Sequence, residues 1–142
     1  MRHTFFLSAA VLAGLTTVAT AQQTMAGIKL SDVAGVWDGK TMTGPKDSVV
    51  ATTVLTATAD GKGWTMTFPN RKQPVAVRVV SVGGDSIVTE AGPYPSYVRP
   101  GQTVTLSHTV SHYKGTQMWG TAVVQYASGD KLTFKITATR RK

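Results

Sequence analysis

The chain has no cysteine, so no disulfide staples it, no thiol can act as a nucleophile and no thiolate can hold a metal. Acidic residues are scarce, 7 against 15 lysines and arginines. Asp32, Asp38, Asp47, Asp60, Asp85, Glu90 and Asp130 lie mostly in turn-like stretches, which gives no carboxylate pair for acid–base work. There is no sustained helical period and no second long apolar run, so neither a helical bundle nor a membrane-spanning helix is expected. Also missing are a nucleophile elbow, a phosphate-cradling glycine loop, and any cofactor- or metal-binding motif. Gly83-Gly84-Asp85 is a turn with no helix after it, which leaves a phosphate no helix N-terminus to sit on. The reading is therefore non-enzymatic, with no catalytic residue and no cofactor.

The first 21 residues are of a different kind from the rest. Arg2 and His3 open the chain, Phe5 to Ala13 is apolar or small throughout, and Ala19-Thr20-Ala21 closes the stretch with a small-x-small pattern. That is the form of a cleaved secretory signal peptide, and Thr16, Thr17 and Thr20 cut the apolar run short of a membrane span. The expected destination is the periplasm or the medium. Residues 22–34 read as a leader with one short helical turn, capped by Ser31 or Asp32. Residues 35–142 then make a single domain.

What the domain has in abundance is threonine, valine and turn residues. Eight strands are expected, at 36–43, 48–58, 64–68, 75–82, 86–90, 103–112, 118–126 and 132–140, with mostly short connections. Short links between strands favour antiparallel neighbours, and closing the sheet removes its exposed edges. The fold class is thus all-β, an antiparallel up-and-down meander of about eight strands closing into a small barrel.

Alternation assigns the faces. Trp64, Met66 and Phe68 share one, as do Leu132, Phe134, Ile136 and Ala138. Setting Tyr126 against Leu132 pairs apolar with apolar along the last hairpin and turns Met118, Gly120, Ala122, Val124 and Tyr126 inward. A turn at Lys114-Gly115-Thr116 then sets His112 against Met118. It puts Val104, Leu106, His108, Val110 and His112 inside, leaving Ser107, Thr109 and Ser111 on the wet side.

With Gly35-Val36-Trp37 opening the first strand after a short helical turn, the chain resembles the calycin group of lipocalins, fatty-acid-binding proteins and avidin-type barrels. The resemblance covers the architecture of residues 35–140. It implies a lipocalin-like barrel in which an arginine late in the last strand, here Arg140, packs across Trp37 at the closed end. It also implies a ligand inside, with loops at the open end as its portal.

The expected function is binding of a small apolar or amphipathic molecule. The inner residues proposed for it are Trp64, Met66, His108, Tyr126 and Phe134, with Tyr94, Tyr97 and Arg99 at the mouth. The loop carrying the last three has three prolines and two tyrosines, and its tyrosines either recognise a ligand or plug the barrel. His108 and His112, four apart on a strand, lie ~13 Å from each other. They cannot share one zinc, whose bonds are ~2 Å.

A formal charge of +8 attracts anionic partners, and the alternative function is a solid barrel binding an envelope protein or an anionic polymer. The bases are scattered without interleaved aromatics, which argues against nucleic acid. Nothing in the pattern speaks to oligomeric state.

Overall fold

Gly35–Thr43 (β1) enters the sheet from a single helical turn, Leu30–Val33 (α1), in the computed structural model, which describes residues 27–142. The signal-like segment and residues 22–26 of the leader lie outside the described residues. The remaining strands are Ser48–Ala57 (β2), Thr65–Thr67 (β3), Val75–Gly83 (β4), Ser86–Ala91 (β5), Tyr94–Pro95 (β6), Thr103–Lys114 (β7), Gln117–Tyr126 (β8) and Lys131–Arg140 (β9). All pairings are antiparallel, and each barrel strand lies beside its neighbour in the chain. β1 pairs with β9 and β5 with β7, so eight strands close into a barrel. The two-residue β6 is an addition, held on β7 inside the long loop. No helix among the described residues is long and apolar enough to cross a membrane.

The N-cap of the helical turn is Lys29, two positions before Ser31 and three before Asp32, the caps expected. Asp32 acts from inside the turn, its carboxylate accepting the Lys29 N–H at 3.0 Å. Ser31 makes no such bond.

The faces of β8 and β9 are as alternation assigns them, but their register is two residues away. Val124 faces Leu132 and Ala122 faces Phe134, because Tyr126 belongs to the turn, where its N–H donates to the Asp130 carbonyl at 2.9 Å. A two-residue shift leaves every side chain on its own face.

β7 departs from the sequence reading in a way that matters. Its hairpin with β8 closes on two residues, Gly115 and Thr116, with Gly115 at φ 63°, as tight hairpin turns require. The expected three-residue turn would have paired His112 with Met118; Tyr113 takes that place. The one-residue difference turns His108, Val110 and His112 outward and Ser107, Thr109 and Ser111 inward. A β-bulge between Val104 and Leu106 then returns Val104 to the interior.

Two separate apolar clusters fill the ends of the barrel. At one end Val33, Trp37, Ala57, Trp64, Ile87 and Met118 pack together; at the other, Val104, Val124, Tyr126 and Phe134. The first end is sealed by α1. Trp37 is fully buried and its Nε1–H donates to the Val33 carbonyl at 2.9 Å. The Arg140 guanidinium lies 4.5 Å from the centre of the Trp37 ring and donates to the carbonyls of Ala34 (2.7 Å) and Asp32. Tyr113 meets the indole edge-on, ring centres 6.1 Å apart. A half-buried guanidinium on an indole gains about 0.5–2 kcal/mol, and here it also satisfies the C-terminal carbonyls of the helical turn.

Candidate functional site

Between the two clusters the interior is not filled. A cavity of about 140 Å³ remains, bounded at one end by Trp64, Ile87 and Met118 and at the other by Val104, Val124, Tyr126 and Phe134. One wall is rich in hydroxyls. Ser107, Thr109 and Ser111 of β7 and Thr89 of β5 bring four hydroxyl side chains to the cavity. Ser107 and Ser111 are buried. Thr41, Thr53 and Thr137 add further hydroxyl residues from β1, β2 and β9, so the cavity is a mostly apolar chamber with a few hydrogen-bonding groups, as small-molecule sites commonly are.

The long loop covers one end of this chamber. Tyr97 stacks on Phe68 with ring centres 5.6 Å apart, Tyr94 tilts against the same ring at 5.7 Å, and both tyrosines line the cavity. Two arginines fix the loop, Arg71 from outside it and Arg99 from within it. Arg71 donates to the carbonyls of Pro95 and Ser96 (2.8 Å to the latter) and lies over the Phe68 and Tyr97 rings. Arg99 lies 4.9 Å over Tyr126 and pairs with Asp130 at 3.1 Å. Within the loop, buried Ser96 accepts the Arg99 N–H at 2.9 Å, and its own N–H donates to the Gln102 carbonyl at 2.8 Å. Of the two roles open to these tyrosines, the geometry is that of a plug that also forms the ceiling of the chamber.

Burial raises the pKa of the Tyr94 phenol above its ordinary value of 10.0; a hydrogen bond with the Ser107 hydroxyl opposes that only in part. As pH climbs past 10 the unfolded chain ionises this phenol while the folded barrel retains the proton. The stabilisation is complete below pH 10 and is lost as pH rises through the folded value. Tyr94→Phe should therefore lose less stability than the parent between pH 9 and 11, by urea denaturation. Parallel curves for the two proteins across that range would mean the phenol is not held neutral by its site.

Of the residues proposed from sequence, Trp64, Met66, Tyr126, Phe134, Tyr94 and Tyr97 all line the cavity. Trp64 is anchored by its Nε1–H, which donates to the Thr58 carbonyl at 2.9 Å. Comparison with protein-family models, curated proteins and solved structures finds no match. The geometry is accordingly the whole ground for a functional reading.

Two proposed residues do not line the chamber. Arg99, itself in the loop, ties it to Tyr126 and Asp130, as above. His108 is on the outer face of the barrel, its side chain 43% exposed, with Nδ1 3.1 Å from Glu90 Oε1. The same one-residue offset carries His112 outward, beside Trp119 and 3.0 Å from the Asp85 carbonyl. The sequence reading missed Ser107, Thr109, Ser111 and Thr89. Their only signal was the tight turn at Gly115-Thr116, which decides which side of β7 faces in. Among the described residues no cluster of histidine and carboxylate side chains could hold a metal ion.

Proposed function

We propose that the protein is an exported, lipocalin-like barrel that binds one small, mostly apolar molecule carrying a hydrogen-bonding group. The cavity is the observation that carries this reading. About 140 Å³ is close to the size of engineered protein cavities that take up benzene, and far below the ~300 Å³ at which drug-sized pockets begin. The ligand is therefore of about one ring or a short chain, not a fatty acid. The hydroxyls of Ser107, Thr109, Ser111 and Thr89 offer it both donors and acceptors, and Lys40 is the one charged residue on the lining.

Phenol and toluene serve as probes, since they share a shape and differ in one hydroxyl. Either should shift the methyl resonances of Ile87 and Met118 saturably, with Kd between about 0.1 and 1 mM. Ser107→Val should weaken phenol about tenfold relative to toluene by removing a hydrogen-bond partner from the wall. No saturable shift with either probe at millimolar concentration would remove the binding reading.

A further inference from the structure

The wall of the barrel is incomplete in one place. β3 is only three residues long, and its ladder to β2 ends at Val54 opposite Thr67. The direction of the main-chain groups follows from one bond. The Arg141 N–H donates to the Val36 carbonyl at 2.8 Å, so Val36 and, by alternation, Asp38 and Lys40 point at β9. Trp37, Gly39 and Thr41 then point at β2, and their partners Leu55, Thr53 and Ala51 point back. Val50, Thr52 and Val54 are left facing the other way. Val54 meets β3, whereas Val50 and Thr52 meet no strand among the described residues.

A hollow lies on the outer surface at this gap, between Thr52, Thr53 and Val54 on one side and Thr67, Phe68 and Pro69 on the other. It shares Gly39, Lys40, Thr53 and Phe68 with the interior cavity. Gly39 leaves the passage its floor. A Cβ there would stand 2.6 Å from Thr53 Oγ1, so any larger residue would push the threonine into the gap.

We infer that the cavity opens sideways, through a slit between Thr53 and Phe68, and not through the mouth that the loop plugs. The inference rests on the binding reading and adds to it a route and a gate. Thr53 is the gate residue, because it faces inward, is half-buried, and lines both the outer hollow and the chamber. The lip is polar, formed by Asp38, Lys40 and the main-chain groups of Thr52, which meet no strand among the described residues, while the inside is mostly apolar. Such a route admits a slim molecule and turns away a branched one.

Xenon tests the route without knowledge of the natural ligand, because it enters apolar cavities of this size. The rate of its exchange between free and bound states, read by xenon NMR, should fall at least about tenfold in Thr53→Phe and rise in Thr53→Ala. Arg99→Ala, which loosens the loop on the side away from the slit, should leave the rate as it is. Should the phenylalanine variant fail to fold, the alanine variant still decides. Exchange indifferent to residue 53 overturns the slit, whatever Arg99→Ala does, and leaves the binding reading to its own probes. A wild-type protein with no bound xenon would overturn slit and binding reading together.

Discussion

Trp37→Ala is expected to destabilise the barrel by about 3–5 kcal/mol, the largest loss of any single substitution at the sealed end. Trp37 has no exposed surface and is held from three directions: the Val33 carbonyl takes its N–H, Arg140 covers its face and Tyr113 meets its edge. Removing the indole leaves a void that α1, only four residues long, is too short to fill. It also strips the half-buried guanidinium of its nearer π partner, leaving the Tyr113 ring at 5.9 Å, while the bonds to Ala34 and Asp32 hold it in place. The conservative comparison is Arg140→Lys, which keeps the charge but not the planar fork that reaches two carbonyls while lying on a ring. That change should cost about 1–2 kcal/mol by the loss of stacking and one bond. Urea unfolding measures both. A loss under about 1.5 kcal/mol for Trp37→Ala would mean that this end of the barrel is sealed by something other than the indole.

Ala122→Phe should abolish binding of toluene and phenol, by about a hundredfold or more, while the barrel stays folded. Ala122 lies on the inner face of β8 opposite Thr109 and Phe134, and it lines the cavity midway along the barrel. A benzyl group placed there occupies the space a one-ring ligand would use. Because that space is empty beforehand, the stability cost should stay at or below the ~1–3 kcal/mol usual for overpacking. The adjacent Val123 points outward and is 38% exposed, so Val123→Phe is the matched control and should leave probe affinity unchanged. Methyl NMR titration separates the outcomes. Unaltered affinity in Ala122→Phe would show that the probes bind elsewhere, and the interior would no longer be the site.

Both expectations depend on features of very different legibility. Trp37 and Arg140 are visible in the sequence because each obeys a local rule: one opens the first strand, and the other continues the inward row of Leu132, Phe134, Ile136 and Ala138. The inner faces of β3, β8 and β9 follow from strict alternation, which a register error of two residues does not disturb. β7 has no such protection. Its apolar and hydroxyl residues alternate cleanly, and the apolar side was the natural choice for the interior. The choice was decided instead by a turn one residue shorter than expected, with a bulge absorbing the mismatch at the far end. His108 thereby left the site, and the hydroxyl wall entered it.

Composition and periodicity by themselves determined that residues 35–140 form antiparallel strands with one buried face each, closing into an all-β barrel, whereas the meeting of Trp37 with Arg140 was implied by the resemblance to calycin barrels. Those properties depend on the local chain and on burying one face of each strand. The empty space between the two apolar clusters, the loop folded down as a plug and the gap beside β3 are decided only in three dimensions. A cavity is the difference between the volume enclosed by eight strands and the volume of side chains contributed by all of them. No stretch of sequence carries that difference. The gap likewise exists because β3 ends before β2 does, which becomes visible only when the two strands lie side by side.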